Sequence, residues 1–425
     1  METTKRISLI FAAFFMALGL CSAPAWAGGF TVYEMGTPDV GLATAGWAAR
    51  AKDASTLFKN PAGMSFLPKS EVEVGVQASY GNVSFSPYNQ TTTIGDNGPN
   101  PVGWLPGGSL FFADKITNDL SAGLGIFNYF GGVLAYNNTW VGRYYAEQMK
   151  LVGYTFMPAV SYRITDWISV GAGLNATYSQ LYMQTGIRNL DGPDGLITIR
   201  DNEWGWGANL GVLVEPFKGT RIGVDYMSQM KLKFSDVPQF SGVGRGLDFV
   251  LKARNGYNTS VDMGLYIPNM VMGSVYQVLS PEWAVMANVG WQQWSKFGEP
   301  SIAIVDTSAR SVQVNGNFND TWHFAGGVEY KPWKPWTFTA GMAYDTSAVD
   351  NNNRSVAFPM GTTWRFGLGS LWQVKPNLRL GLAYEYGLTP NMKVDQNRGP
   401  LAGELSGEYN NFSVSTLAFN AAYQF

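Results

Sequence analysis

The sequence predicts an all-β chain: an antiparallel outer-membrane β-barrel of about fourteen strands, with the lumen plugged by an N-terminal hatch. Three observations lead there. No apolar run approaches the length of a membrane helix, yet the chain carries 14% aromatic residues, 50 glycines and only 14% charged residues. Segments of about ten residues alternate apolar with polar or small side chains, as a strand between lipid and a lumen must. The links between these segments are short and long by turns, as in an up-and-down barrel with tight periplasmic turns and long outer loops.

The alternation is clearest in three places. In residues 71–80, Val72, Val74, Val76 and Tyr80 share one face, and Glu71, Glu73, Gln77 and Ser79 the other. In 378–388, Leu378, Leu380, Leu382, Tyr384, Tyr386 and Leu388 oppose Arg379, Gly381, Ala383, Glu385 and Gly387. In 322–330, Trp322, Phe324, Val328 and Tyr330 oppose His323, Ala325, Gly327 and Glu329. Short links fall at Thr165-Asp166, Ser280-Pro281-Glu282 and Lys375-Pro376-Asn377. Long polar links fall near 87–103, 135–148, 188–199, 234–257, 296–318, 347–360 and 391–408. The barrel is expected over 70–425.

Residues 1–27 read as a cleaved signal peptide: Lys5 and Arg6, then an apolar stretch, then Ala25-Trp26-Ala27 as the small-x-small site. Cys21, the only cysteine, leaves with it, so the remainder has no disulfide or thiolate chemistry. Residues 28–69 show neither strand alternation nor a long helical stripe. They still carry Phe30, Tyr33, Trp47, Leu57, Phe58 and Phe66, too apolar for a solvated tail. Both chain ends lie on the periplasmic side, which places this segment at the barrel mouth, free to fold into the lumen.

A net charge of −2 argues against nucleic acid. His323 is the sole histidine, weak support for any nucleophile–base or metal mechanism, so the chain reads as no enzyme. No metal-ligand spacing or phosphate loop appears, and no cofactor is expected. Arg221, Arg365 and Arg379 face the lumen by alternation and are expected to pair with carboxylates such as Asp225, Glu329 or Glu385.

The third strand breaks its own pattern. Leu120, Ala122, Leu124 and Ile126 face lipid, and continuing the register would put Asn128 there too, an expensive place for an amide. Gly131-Gly132 follow, and glycine pairs mark bends. A kink is therefore expected over Phe127, Asn128, Tyr129, Phe130, Gly131 and Gly132. The last strand ends on Phe425, above alternating Leu417, Phe419, Ala421 and Tyr423, a pattern that barrel-assembly machinery reads.

With these features in order, the chain resembles the FadL family of outer-membrane transporters of long-chain fatty acids and hydrocarbons. Gly28-Gly29-Phe30 resembles the family's mature start. Asp53-Ala54-Ser55 followed by Asn60-Pro61-Ala62-Gly63-Met64 resembles its plug, and the blocks at 124–131, 140–145, 158–175, 291–297, 321–330 and 340–345 follow in family order. The resemblance implies a fourteen-stranded barrel with a hatch, uptake of hydrophobic molecules, and lateral exit into the membrane beside the third-strand kink. It implies that Asn60, Pro61 and Ala62 fix the hatch, although Asn-Pro also starts ordinary turns, and that Phe30 lines a ligand pocket. The long loop 234–257 offers an outer landing patch in Phe240, Leu247, Phe249, Val250 and Leu251. The partners expected are a fatty acid or hydrocarbon, outer-membrane lipid and, through Phe425, the assembly machinery, with the chain a monomer. A hydrocarbon channel, a general aqueous porin and a loop-binding adhesin are the alternatives.

Overall fold

The computed structural model describes residues 31–189, 192–253, 255–297, 301–304, 312–313, 317–400 and 402–425. The expected leader and Phe30, within residues 1–30, lie outside these residues. The strands are β1 (Glu71–Pro87), β2 (Gly103–Lys115), β3 in two halves (Leu120–Phe127 and Gly131–Ala135), β4 (Gln148–Thr165), β5 (Ile168–Ile187), β6 (Gly195–Phe217), β7 in two halves (Thr220–Met227 and Met230–Asp236), β8 in two halves (Val261–Ile267 and Met270–Val278), β9 (Trp283–Gln292), β10 (Thr321–Tyr330), β11 (Trp336–Asp345), β12 (Thr363–Lys375), β13 (Leu378–Thr389, prolonged by Met392–Asn397) and β14 (Glu404–Gln424). Each pairs antiparallel with the next, and β14 returns to β1 from Glu71↔Gln424 to Pro87↔Gly407, so the ring closes. Closure satisfies both edges, which hydrocarbon would otherwise leave unpaired.

The faces follow the sequence alternation. Leu368, Leu382, Leu417 and Phe419 point outward and are exposed, while Glu71, Glu73, His323 and Glu329 point inward and are buried. The turn between β4 and β5 is two residues long, Asp166-Trp167, and Lys218-Gly219 joins β6 to β7 with Gly219 at φ 86°. One boundary differs from the sequence reading. The link between β5 and β6 spans only 188–194, because Gly195 to Arg200 extend β6 upward against Tyr182 to Ile187. Its polar composition had suggested a loop.

Residues 31–67 fill the lumen. All are buried except Lys52 and Phe66, which are half-buried. They form two short helices, α1 (Thr37–Gly41) and α2 (Thr56–Lys59), and a 3-10 turn (Pro61–Phe66). The hatch backbone rests directly on the wall because the wall offers glycine there. A β-carbon at Gly341 would run into the Leu42 carbonyl, one at Gly223 into the Ala48 carbonyl, and one at Gly171 into the Ala62 amide. Replacing Gly341 by valine is therefore expected to lower barrel stability by about 1–3 kcal/mol through overpacking. Thermal unfolding of the purified protein would read that loss, and protease added from the periplasmic side would cut residues 31–67 faster.

Candidate functional site: the hatch and the breach in the wall

The hatch is held by polar side chains at its base. Asn60 caps the 3-10 turn by accepting from Ala62 N at 3.1 Å, and its amide donates to the carbonyls of Ala48 at 2.8 Å and of Val212 in the wall at 3.0 Å. Pro61 takes the first position of the turn, where no N–H is needed. The Ala62 carbonyl accepts from Ser169 at 2.8 Å. Around this seat lies a buried charge network: Lys59 to Asp39 at 2.6 Å, Arg50 to Glu329 at 2.6 Å, and Arg50 to Asp53. Burial pushes the Asp53 carboxyl up, but Lys59 and Arg50 outweigh it and hold the group well below the usual carboxylate range. The arginine pairings expected from sequence are revised. Glu329 pairs with Arg50 and Lys52 of the hatch, Arg221 with Glu215, and Arg379 with Glu71. Asp225 has no hydrogen-bond partner among the described residues.

The wall is breached at β3. Register with β4 runs Phe127↔Thr155 and resumes at Gly131↔Val152, so three residues of β3 face two of β4. This one-residue bulge bends the strand. On its other side β3 leaves β2 after Ile126↔Leu110, and the outer half of β2 gains no ladder partner in β3. Asn128 turns away from lipid: it is 7% exposed and its amide donates to Gly153 O at 2.8 Å. Gly131 sits at φ 153°, and the Phe130 ring packs where Gly153 has no side chain.

The start of the hatch covers this breach from inside. Thr31 bridges Phe130 in antiparallel fashion, Val32 N donates to Tyr129 O at 2.7 Å, and Ser109 of β2 donates to Met35 O at 2.5 Å. Behind them remains a cleft of about 10 Å³, lined by Val32, Glu34, Met35, Ser109 and Asn128. An aromatic train runs from the breach into the hatch: Phe111 against Phe127 at 5.5 Å, Phe127 against Phe58 at 4.4 Å, Phe58 against Trp47 at 5.5 Å and Trp47 against Tyr33 at 5.5 Å.

Tyr33 and Glu34 tie the same segment to the far wall. Arg365 donates to Glu34 at 2.9 Å and to Asp345 at 2.8 Å, and its guanidinium lies 4.7 Å from the Tyr33 ring. His323 contacts Asp345 at 2.8 Å and Thr44 at 3.1 Å, with Tyr33 stacked on its face at 4.9 Å. The Thr44 hydroxyl donates to Ala43 O at 2.6 Å, so this hydroxyl–imidazole–carboxylate line acts as a tether. Sequence reasoning placed His323 in the lumen but missed Glu34 and Arg365 as partners 331 residues apart. The available signal was the density of charges, Asp39, Arg50, Lys52, Asp53 and Lys59, in an otherwise apolar segment.

The expected landing patch divides. The loop above β7 forms α3 (Arg245–Ala253), and Leu247 and Val250 line an outer groove of about 380 Å³ with Tyr144, Ile187 and Arg188. Phe249 is 73% exposed outside it, Phe240 packs against Tyr257 at 5.6 Å, and Leu251 packs under Gly256. At the terminus, Phe425 N donates to Ser70 O at 3.0 Å and its ring stacks on Phe112 at 6.2 Å.

A fourteen-strand ring whose lumen is occupied by its own N-terminal segment is the architecture of an outer-membrane channel. Over residues 18–425 the sequence matches the family described as outer membrane protein transport protein (OMPP1/FadL/TodX), and the chain belongs to it. A long-chain fatty acid transport protein of Escherichia coli O6:H1 (strain CFT073) is 26% identical, with 92% of this chain and 94% of that protein covered. Outer membrane protein P1 of Haemophilus influenzae is 24% identical over 89% of each. Among solved structures, a Pseudomonas aeruginosa FadL homologue superposes with TM-score 0.84 at 20% identity, covering 93% of this chain and 100% of that one. The toluene transporter TbuX of Ralstonia pickettii gives 0.64 at 16% identity, covering 92% and 99%. The chain is thus an outer-membrane transport protein for hydrophobic molecules and not an enzyme.

Two changes test the seat. Asn60→Ala removes bonds to Ala48, Val212 and Ala62 and is expected to destabilise the folded hatch by about 1–3 kcal/mol. Asp53→Asn strands Arg50 and Lys59 beside a neutral group and is expected to cost more, about 3–5 kcal/mol. Hydrogen exchange of 31–67 would rank them, and equal exchange in both variants and the parent would contradict the assignment.

Proposed function

We propose that the chain moves long-chain fatty acids into the outer membrane by passive gated diffusion. The observation that carries this reading is the breach between β2 and β3, covered from inside by residues 31–35. Ligands this insoluble gain little from an aqueous pore, and an apolar side exit returns them to lipid. A molecule lands in the groove beside Leu247 and Val250, moves down to the aromatic train between hatch and breach, and displaces residues 31–35 from Tyr129 and Phe130. It then leaves past Asn128. Differential binding to the open arrangement supplies the shift, with no energy input. The long-chain fatty acid transport proteins among its relatives favour this substrate. The toluene transporters among structures of the same fold keep aromatic hydrocarbons as the second reading. A general aqueous porin is disfavoured because residues 31–67 fill the lumen.

The same proposal divides the chain into a leader (1–27), a hatch (28–69) with Phe30 as part of the pocket, and a barrel (70–425). It has Phe425 read by the assembly machinery, and it takes the protein as a monomer, since a closed ring leaves no edge to pair.

The test is uptake of labelled oleate and toluene in cells lacking their own transporter. A Thr31→Cys/Phe130→Cys pair, in a barrel otherwise free of cysteine, is expected to cut oleate uptake about tenfold when oxidised and to recover on reduction. Toluene uptake alone would move the substrate to hydrocarbons. Unchanged oleate uptake in the oxidised pair would overturn lateral exit.

A further inference from the structure

The outward face of β4 to β7 changes character in rows fixed by strand register. Tyr154, Tyr178 and Trp204 stand opposite one another across β4, β5 and β6. Four residues higher on each strand stand Lys150, Tyr182 and Arg200. Below the aromatic row the outward side chains are lipid-facing, among them Val160, Leu174 and Leu210. The aromatic row therefore marks the outer membrane–water boundary. The cationic row lies about 13 Å farther along the strands, which is about 10 Å along the membrane normal at a usual barrel tilt.

β7 adds to this row by changing parity. In its lower half Ile222, Val224 and Tyr226 point outward. After the interruption at Ser228-Gln229, Lys231 and Lys233 are the exposed positions, between buried Met230, Leu232 and Phe234. The outer half of β7 flanks β6 without a ladder. The two are bridged by Arg200 N to Asp236 at 2.9 Å and Ser235 N to Asp201 at 2.6 Å. Lys231 lies 5.1 Å from the Tyr266 ring, and Lys150 donates to Gln180 at 3.3 Å.

Among the described residues none of Lys150, Arg200, Lys231 or Lys233 makes an ion pair. The neighbouring carboxylates are committed elsewhere: Asp236 and Asp201 to the β6–β7 seam, and Asp262 to the Ser235 hydroxyl at 2.5 Å. Four such cations grouped in one sector, just above an aromatic belt, match the height and charge of lipid phosphates.

We propose that this sector binds the phosphate groups of an outer-leaflet glycolipid, with its acyl chains lying against Trp204, Trp206 and the apolar wall below. The lipid sits directly beneath the groove lined by Ile187, Arg188 and Leu247 and covers the unladdered β6–β7 seam from outside.

The test is lipid retention. The purified barrel is exchanged into detergent containing a bisphosphorylated outer-leaflet glycolipid or the same glycolipid with its phosphates removed, and bound lipid per barrel is counted by native mass spectrometry. The expected result is retention of the phosphorylated form, and about a tenfold loss in a Lys150→Gln/Arg200→Gln/Lys231→Gln/Lys233→Gln variant. A Lys218→Gln/Lys331→Gln variant in the opposite turns should retain it. Equal retention by the quadruple variant, or of the dephosphorylated lipid, overturns the proposal. Displacement by inorganic phosphate at the same concentration as the lipid overturns it in favour of a simple anion site. If the quadruple variant fails to fold, Lys231→Gln/Lys233→Gln, both on an exposed strand face, carries the same comparison with about half the effect.

Discussion

Hydrocarbon supplies no partner for a backbone amide, and the whole structure is arranged around that fact. Among the described residues most strand junctions satisfy it by simple pairing. The β2–β3 junction does not, because one residue too many in β3 carries the strand away from β2 after Ile126. What closes the wall is borrowed from the interior: Thr31 and Val32 lend backbone groups to Phe130 and Tyr129, and Asn128 lends its side-chain amide to Gly153. Hatch and wall are thus parts of one hydrogen-bonding solution.

The lumen then has to hold the hatch start at the breach. It does so with charge that is paired inside. Arg365 joins Glu34 to Asp345, and Arg50 joins Asp53 to Glu329. Such pairs add little net stability compared with apolar packing, but they tolerate few alternative positions, which suits a segment that must reseat in one place. The apolar train from Tyr33 to Phe111 runs between these two anchors.

Much of this was legible in the sequence, and the reasons are physical. A strand between two solvents must alternate, so faces such as Leu378-Leu380-Leu382 against Arg379-Gly381-Ala383 could be read directly. The trouble at Asn128 showed for the same reason: an amide broke a lipid-facing register. What alternation does not carry is a partner far along the chain. Nothing local to Arg365 points to Glu34, and Asp225 looked like an arginine partner only because it faced inward. The β6 extension over Gly195 to Ile199 was missed because it follows directly on Gly192-Pro193-Asp194, whose turn-forming composition made the whole span read as a loop.

The glycines under the hatch bear on how the molecule is made. Leu42, Ala48 and Ala62 touch the wall at Gly341, Gly223 and Gly171, on β11, β7 and β5, with no side chain between backbone and backbone. A stopper fitted this closely on several sides cannot slide into a finished sleeve past bulkier residues. Residues 31–67 must already be lodged against the growing sheet when β14 meets β1, so the lumen is moulded around its occupant during biogenesis.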